Sequence, residues 1–285
     1  ATVIFAPIMG WILHSFGWQQ VFFFMGLVGL GFAAAWPRLI HAPREHPRAN
    51  AAEVDHIVRG GGLVDMGKPG NKLAGGGGWA VTKQLLGNRM LLGVYFGQYC
   101  ITTLTWFFLT WFPIYLRDEL HMSILKTGFM VVLPALCGLV GGILGGLFSD
   151  WLLRRGCSLT VARKTPIVGG LLLSVCMIGC NYVSTEWAVI GLMSMAYFGK
   201  GVGALGWAVV SDSSPKEVMG LSGGLFNTFG NIAGITTPIA IGYIIDRTQS
   251  FDGALIFVGV HAILGVVSFL FIVGEIKRVE LRPVA

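Results

Sequence analysis

The sequence predicts an all-α membrane protein that crosses the bilayer about eight times. Hydrophobic residues make up 54% of its 285 residues and charged residues only 12%, whereas an ordinary soluble domain carries roughly 25% charged residues. The mean hydropathy of +0.71 shows that this apolar character extends over most of the chain. A soluble fold would have too few polar residues to cover its surface, so lipid is the expected environment of the apolar segments.

Eight apolar runs approach the length of about 20 residues that a membrane helix requires. The first run is short and begins at Ala1 without the basic segment that opens a signal peptide. We therefore expect the sequence to be a fragment that starts inside a helix. The predicted spans lie near residues 1–13, 18–40, 90–115, 124–149, 166–183, 187–210, 219–245 and 253–275.

A polar segment at 41–88 separates the first two predicted spans from the other six. It contains repeated Pro and Gly residues, charges of both signs and almost no apolar periodicity, which is typical of a linker. We expect one short helix within it, around 51–59. The predicted organisation is a two-span segment at 1–40, a linker at 41–88, and a six-helix bundle with its tail at 89–285.

The basic residues predict the orientation in the membrane. Most of the 20 Lys and Arg residues fall in the linker, the 150–165 loop and the C-terminal tail, which lie on one side if the spans alternate. Because cytoplasmic loops are enriched in Lys and Arg, we expect the linker and the C-terminus to be cytoplasmic. These loops also explain the net charge of +6, so no nucleic-acid partner is expected.

Glycines recur at three- and four-residue spacings within the predicted spans. One series consists of Gly138, Gly141, Gly142, Gly145 and Gly146. Small residues at such spacing let helix backbones approach closely in lipid, so we expect tight helix packing at these positions. In a carrier the same faces would also let helices slide against one another.

A charged segment follows the fourth predicted span. From Gly146 to Arg155 it has an Asp four residues after the Gly and then a basic pair, and it resembles the cytoplasmic loop motif of the major facilitator superfamily. The resemblance implies a structural loop motif made of Gly146, Asp150, Arg154 and Arg155. We expect Asp150 to end a helix and to pair with Arg154 or Arg155, with an ordinary charged helix end as the alternative.

Three further stretches, at 93–100, 198–207 and 214–231, resemble the anion:cation symporter branch of that superfamily, and within it the bacterial glucarate permeases. The resemblance extends from Ala1 to the C-terminus. It implies a twelve-helix, major-facilitator-type bundle, of which this chain holds part of helix 5 to helix 12, with 1–40 as a remnant of the N-terminal bundle. The proton-coupling carboxylates and a substrate-binding Arg would lie on helices that precede Ala1.

The same resemblance implies a secondary transporter of the bacterial inner membrane that imports a glucarate-type dicarboxylate by proton symport with alternating access. Its expected partners are the sugar-acid anion, protons and the lipid bilayer; we expect a monomeric carrier without a cofactor. A carrier for galactonate, a hexuronate or another carboxylate is the alternative. A membrane enzyme or a channel is disfavoured, because the spans contain no recognisable catalytic or metal-ligand set and no ring of like charges.

Four polar residues of the span near 90–115 fall on one helical face: Tyr95, Gln98, Thr102 and Thr105. A polar stripe in a membrane helix faces protein or water rather than lipid. Tyr95, Gln98 and Thr102 are therefore candidates to bind the hydroxyl groups of a polyol chain, with hydrogen bonding between helices as the alternative. The resemblance favours Gln98, which matches a substrate-contacting glutamine of the family.

Lys200 is the one basic residue well inside a predicted span. An unpaired charge there costs several kcal/mol, so a protein carboxylate, helix carbonyl groups or an anionic substrate must compensate it, unless the side chain reaches an interface. Trp207 is seven residues further on, and we expect it to share the helical face of Lys200. The resemblance matches Trp207 to a substrate-site tryptophan, with a packed aromatic residue as the alternative.

Two asparagines, Asn227 and Asn231, are four residues apart in the span near 219–245. Their amides can donate and accept hydrogen bonds, which suits the hydroxyl and carboxylate groups of a sugar acid. The resemblance matches Asn227 to a substrate residue of the family. Asn231 is the weaker candidate, because it could instead form a bridge between helices.

Overall fold

The computed structural model describes residues 8–9, 11–13, 15–60, 62, 64 and 78–281, without the side chains of 124 and 125. Over these residues the regular structure is helical and contains no strand, and seven helical segments are long and apolar enough to cross a membrane. The all-α class and seven of the predicted spans are confirmed. The span predicted near 1–13 lies largely outside the described residues. The chain divides into two compact units, Ala1–Lys72 and Leu73–Ala285, each of which is described by itself.

In the first unit, helix α1 (Trp18–Leu39) is followed by a 3-10 turn at Pro43–Glu45 and by helix α2 (Ala51–Arg59). Helix α2 begins where the Asn50 side chain accepts a hydrogen bond from the Glu53 amide at 2.8 Å. Such an N-cap satisfies one of the free N–H groups in the first turn of a helix. The short helix predicted within the linker is confirmed.

The second unit contains nine α-helices within its described residues, 78–281. In chain order they are α3 (Gly78–Gly87), α4 (Arg89–Trp106), α5 (Phe112–Asp118), α6 (Ile124–Arg154), α7 (Leu159–Ser174), α8 (Glu186–Val202), α9 (Gly206–Ser213), α10 (Met219–Thr248) and α11 (Asp252–Val267). A π turn at Phe107–Trp111 joins α4 to α5, and another at Ser268–Ile272 continues α11. A 3-10 stretch at Val175–Tyr182 continues α7.

Helix α3 corrects the prediction of a single short helix within 41–88. Its Gly-rich beginning suggested a loop, but Val81 and Leu85 are buried in the hydrophobic core. These two residues are four positions apart and therefore lie on one helical face. The burial of this apolar face stabilises a helix in a segment whose composition argues against one.

Helix α7 begins at Leu159 rather than near 166, where it was predicted to start. Ser158 caps its N-terminus, and Pro166 lies inside the helix. A proline is tolerated within a membrane helix because neighbouring groups can satisfy the backbone carbonyl that it leaves free. Arg163 and Lys164 therefore lie on the helix and not in a loop, which changes what each of them can contact.

Helices α6 and α8 form the most extensive contact among the described helices, and glycines make it possible. A Cβ atom added at Gly141 would overlap the carbonyl oxygen of Phe198, and one added at Gly201 would overlap the carbonyl oxygen of Gly138. The predicted series therefore includes glycines that permit close backbone packing. Gly146 differs, because an added Cβ would meet nothing within 4 Å.

The segment at 274–281 packs across the ends of two helices. The Ile276 amide donates to Thr160 Oγ1 of α7 at 2.9 Å, and the Val279 amide donates to the Ser213 carbonyl of α9 at 2.8 Å. The side chain of Ile276 is buried. This segment therefore links the first turn of α7 to the last turn of α9.

Candidate functional site

Two residues of the predicted polar stripe, Gln98 and Thr102 on α4, face the same pair of neighbouring helices. Gln98 Nε2 donates to Thr102 Oγ1 at 3.2 Å. A Cβ added at Gly206, the first residue of α9, would lie 2.8 Å from Gln98 Oε1, and one added at Gly230 of α10 would lie 3.3 Å from Thr102 Oγ1. The two polar side chains thus occupy space that glycines on two other helices leave open.

Trp207 and Asn227 lie on the two helices, α9 and α10, whose glycines face Gln98. The Trp207 ring packs edge-on against Phe226 of α10, with ring centroids 4.9 Å apart, and the side chain remains 57% exposed. A Cβ added at Gly223 would lie 3.3 Å from Trp207 Cζ3. Since residues three and four apart share a helical face, Asn227 lies on the face of α10 between Gly223 and Gly230.

Gln98, Thr102, Trp207 and Asn227 are termed the Gln98 cluster. Helices α4, α9 and α10 each contribute to it. Its two amides can donate and accept hydrogen bonds, and its indole offers an exposed apolar face with a polar edge. The cluster can therefore bind a small solute that carries several hydroxyl or carboxylate groups.

Asn231 lies one turn beyond Asn227 on α10. Its Nδ2 donates to the Asn227 carbonyl at 2.9 Å, and its side chain is exposed. This bond lies within one helix, so its amide nitrogen does not form the bridge between helices that was the alternative for this residue. A contact with substrate remains a prediction for Asn231.

Tyr95 lies at a contact between helices, and its proposed contact with substrate remains a prediction. Its side chain has no exposed surface. Its hydroxyl bonds to Ser222 Oγ at 2.8 Å, and Ser222 Oγ bonds in turn to Ser214 Oγ at 2.6 Å. The alternative, hydrogen bonding between helices, therefore describes Tyr95. Thr105, the last residue of the stripe, donates to the Ile101 carbonyl of its own helix at 3.2 Å.

The predicted span near 187–210 is two helices, because α8 ends at Val202 and α9 begins at Gly206. The seven-residue spacing between Lys200 and Trp207 therefore does not place them on one helical face, and that expectation was wrong. The sequence Gly203-Ala-Leu205-Gly206 forms the break, and Gly203 caps the end of α8 with hydrogen bonds to the Gly199 and Gly201 carbonyl groups.

Lys200 is in the last turn of α8 and is part-buried. Its Nζ lies 5.1 Å from the centroid of the Tyr197 ring, a distance at which an aromatic face attracts a cation. Among the described residues no carboxylate and no hydrogen-bond acceptor pairs with this ammonium group. A protein carboxylate therefore does not compensate the charge of Lys200 in the described part of the chain.

The loop motif is built differently from the prediction. Helix α6 runs through Asp150 to Arg154, so Asp150 does not end it. The partner of Asp150 is Arg163 of α7, at 3.7 Å, and not Arg154 or Arg155. Arg155 instead lies over the Trp151 ring, 4.5 Å from its centroid.

Arg163 is the residue that the sequence interpretation missed. Its Nε donates to Asp212 Oδ2 of α9 at 2.8 Å, and its Nη1 donates to Ser149 Oγ of α6 at 2.9 Å. Together with Asp150 it therefore joins three helices at one end of the unit. Asp212 offered the signal, because a carboxylate at the end of an apolar span requires a cation nearby.

Across the described residues, no group of three or more His, Cys, Asp or Glu side chains is arranged to hold a metal ion. Among the described residues of the second unit, the polar chemistry is instead that of amides, hydroxyl groups, indoles and ammonium groups without an anionic partner, of which Lys200 is one.

Comparisons with known proteins agree with this architecture. The profile of the Major Facilitator Superfamily matches residues 1–238. The chain is 59% identical to a protein of Escherichia coli (strain K12) named "Probable galactarate/D-glucarate transporter"; the match covers 100% of the chain and 64% of that protein.

Two further relatives have related names. The chain is 40% identical to the "D-galactonate transporter" of Escherichia coli O6:H1, over 96% of the chain and 63% of that protein. It is 30% identical to the "Hexuronate transporter" of Bacillus subtilis (strain 168), over 94% of the chain and 61% of that protein. The chain spans a little under two thirds of the length of these relatives. With a family match over most of its residues and seven apolar helices, it belongs to the Major Facilitator Superfamily, as a multi-pass membrane protein.

Proposed function

We propose that the protein is a secondary transporter that imports a glucarate-type dicarboxylate across the bacterial inner membrane, with the linker and the C-terminus in the cytoplasm. The names of the relatives with 54–59% identity support this substrate class. The observation that carries the proposal is the ammonium group of Lys200, which has no anionic partner among the described residues.

Lys200 requires an anion because an unpaired charge within a membrane bundle is costly. Two other basic side chains on the membrane-spanning helices do have an acidic partner: Lys126 pairs with Glu186 at 2.5 Å, and Arg163 pairs with Asp212 at 2.8 Å. A substrate carboxylate would give Lys200 the charge-assisted hydrogen bond that the described protein groups do not provide. In this proposal Lys200 binds one of the two carboxylates of the diacid.

The Gln98 cluster binds the polyol part of the substrate. The amides of Gln98 and Asn227 can donate to and accept from successive hydroxyl groups, and the exposed Trp207 ring covers the apolar C–H face of the chain. Thr102 holds Gln98 in position through its 3.2 Å hydrogen bond. Asn231 extends the same face of α10 by one turn.

The transport cycle is proposed to be alternating access coupled to protons, in a monomeric carrier. Family carriers of this kind bind substrate near the bilayer midplane, where discontinuous helices present backbone groups. The break between α8 and α9 lies between Lys200 and Trp207 in the sequence. The glycines of α6 and α8 provide a close interface at which small displacements of one helix past another are sterically possible.

The experiment is competition binding of glucarate and gluconate to the full-length protein and to its Lys200→Gln variant. If Lys200 binds the second carboxylate, the variant should lose about 1–3 kcal/mol of glucarate affinity, which is roughly a 5- to 150-fold weaker Kd. Gluconate, which has a single carboxylate, should lose less. Lys200→Arg should restore glucarate binding only in part, because a guanidinium group is larger and planar.

Lys164→Gln is the matched control. Lys164 also lies on a membrane-spanning helix, but the groove that it lines contains no residue of the Gln98 cluster. It should leave both affinities unchanged. Equal losses of glucarate and gluconate in Lys200→Gln would assign Lys200 a structural role. Wild-type protein that prefers gluconate would support the second candidate, a carrier of sugar monoacids, which the 40% identity to a "D-galactonate transporter" favours.

A further inference from the structure

A groove of about 470 Å³ lies between α7 and the π turn Ser268–Ile272 that follows α11. Thr160, Lys164 and Thr165 line it along the first two turns of α7 together with the apolar Val161, and Val168 and Gly169 line it along the next turn. Polar groups thus lie toward the start of the helix and an apolar wall lies deeper along its axis. No residue of the groove belongs to the Gln98 cluster.

Lys164 is the cation of this groove, and the groups around its side chain differ from those around its neighbour Arg163. Consecutive residues of an α-helix point about 100° apart. Arg163 points to Ser149, Asp150 and Asp212, which occupy its guanidinium group. Lys164 lines the groove, and the described part of the chain provides its ammonium group with no anion and no hydrogen bond.

The surroundings of the groove are apolar and exposed. Val161 and Leu172 of α7, and Leu270 and Phe271 of the π turn, all present large side chains outward. They lie on two of the apolar helical segments long enough to span a membrane, so lipid is the medium that covers them. Gly169 leaves additional room, because an added Cβ would meet nothing within 4 Å.

We propose that this groove binds an anionic membrane phospholipid, with the phosphate at Lys164 and an acyl chain along Val168, Gly169 and Leu270. A phosphate group supplies the negative charge that Lys164 lacks, and the hydroxyl groups of Thr160 and Thr165 can donate to its oxygens. Thr160 is held in place because its oxygen accepts the Ile276 amide at 2.9 Å. Basic pockets between membrane helices are general sites for anionic headgroups.

The depth of Lys164 agrees with a headgroup site. The span Leu159–Tyr182 contains 24 residues, 16 of them α-helical and eight in the 3-10 stretch. At about 1.5 and 2.0 Å per residue it is about 40 Å long, which exceeds the hydrocarbon thickness of about 30 Å. Lys164 is five residues from the start of this span, about 7–8 Å along the axis. With about 5 Å of the span beyond the hydrocarbon core at each end, the Lys164 backbone lies about 2–3 Å inside the core. Its long side chain can reach back to the phosphate level, and the apolar wall lies at the depth of the acyl chains.

The test is native mass spectrometry of the purified full-length protein in neutral detergent, titrated with phosphatidylglycerol or phosphatidylcholine of identical acyl chains. Phosphatidylglycerol should bind more tightly than phosphatidylcholine to the wild type. Lys164→Gln should weaken phosphatidylglycerol binding roughly fivefold, the effect of one basic residue on an anionic lipid. It should weaken phosphatidylcholine binding less, because the choline cation already offsets the charge of that phosphate. Lys164→Arg should retain most of the preference.

Gly169→Leu tests the apolar wall independently of charge. A leucine side chain would fill the groove, so it should weaken the binding of both lipids. Inorganic phosphate at equal concentration should not displace phosphatidylglycerol, because it cannot use the apolar wall. Lys200→Gln is the matched control in a different helix and should bind both lipids as the wild type does.

Unchanged phosphatidylglycerol binding in a folded Lys164→Gln protein would overturn the proposal, as would displacement of the lipid by inorganic phosphate. If Lys164→Gln does not fold, Gly169→Leu tests the proposal instead. A Gly169→Leu protein that binds both lipids as tightly as the wild type would also overturn the proposal. The readout is lipid binding and uses no sugar acid. A failure of the proposed transport function therefore leaves this result unaffected, and the reverse also holds.

Discussion

Glycines serve two interfaces of the second unit in different ways. Between α6 and α8, a Cβ at Gly141 or Gly201 would overlap a backbone carbonyl oxygen of the partner helix. Between α4 and the helices α9 and α10, the nearest atoms belong to side chains: Gln98 Oε1 is 2.8 Å from a Cβ at Gly206, and Thr102 Oγ1 is 3.3 Å from one at Gly230.

This difference shows that one sequence signal, glycine at helical spacing, produces two kinds of structure. Where glycine faces glycine or a bare carbonyl group, two backbones approach and leave no room for a solute. Where glycine faces a long polar side chain, the space holds a functional group. We therefore expect substitutions at the first interface to change mainly the stability of the unit, and substitutions at the second to change mainly the proposed binding of substrate at the Gln98 cluster.

The largest expected effect is on stability, for Gly201→Ala. The added methyl group would overlap the Gly138 carbonyl oxygen, and a backbone atom cannot move without displacing α6. We expect a loss of about 1–3 kcal/mol of stability, the usual cost of overpacking. Thermal unfolding of the full-length protein in detergent measures it as a lower Tm.

Gly191→Ala is the matched control, because it lies on the same helix and its added Cβ would meet nothing within 4 Å. Alanine has the higher helix propensity, by about 1 kcal/mol, so the Tm should be unchanged or slightly higher. A Gly201→Ala protein as stable as Gly191→Ala would refute the close backbone contact between α6 and α8.

A smaller and different effect is expected at the second interface, for Gly206→Ala. The new Cβ would lie 2.6 Å from Phe226 Cζ and 2.8 Å from Gln98 Oε1, and both side chains can give way. The Tm should therefore fall less than in Gly201→Ala. Displacement of Gln98 should weaken glucarate binding by about 1.4 kcal/mol, which is tenfold in Kd.

Isothermal titration with glucarate, beside thermal unfolding of the same preparation, separates the two outcomes for Gly206→Ala. The comparison between the interfaces predicts a large change in Kd with a small change in Tm, the opposite of Gly201→Ala. Unchanged affinity would show that Gln98 does not need its present position, and the proposed role of the Gln98 cluster would then be wrong.

The sequence predicted the positions of the helices well where a long run of apolar residues has clear ends, as in α1 and α6. It predicted that Gln98 and Thr102 lie on one face of a helix, because the two residues are four positions apart. It placed the start of α7 too late because Pro166 is usually a boundary in soluble proteins, whereas a membrane bundle tolerates it.

The misses share a physical cause, which is separation along the chain. Arg163 and Asp212 are 49 residues apart, and Tyr95 and Ser222 are 127 apart, so neither partner follows from periodicity on one helix. The break at Gly203–Gly206 was hidden for a related reason. The residues around it are as apolar as a continuous span, and hydropathy does not register an interruption of the helix.

The smallest expected effect is that of Gly230→Ala, which tests the difference between the two glycine interfaces most finely. A Cβ there would lie 3.3 Å from Thr102 Oγ1 and 3.5 Å from Gln98 Nε2, close to ordinary van der Waals contact, so Gly230→Ala requires a shift of only a few tenths of an ångström. We expect a change in glucarate Kd of roughly twofold, about 0.4 kcal/mol, and no measurable loss of Tm. Gly224→Ala on the same helix, where an added Cβ would meet nothing within 4 Å, should change neither quantity.

The three glycines Gly201, Gly206 and Gly230 then form a graded series in which the affected property depends on the atom that the new methyl group meets. A Gly230→Ala protein that loses stability as Gly201→Ala does would show that α4 and α10 also pack backbone against backbone, and that the Gln98 side chain does not occupy the space between them.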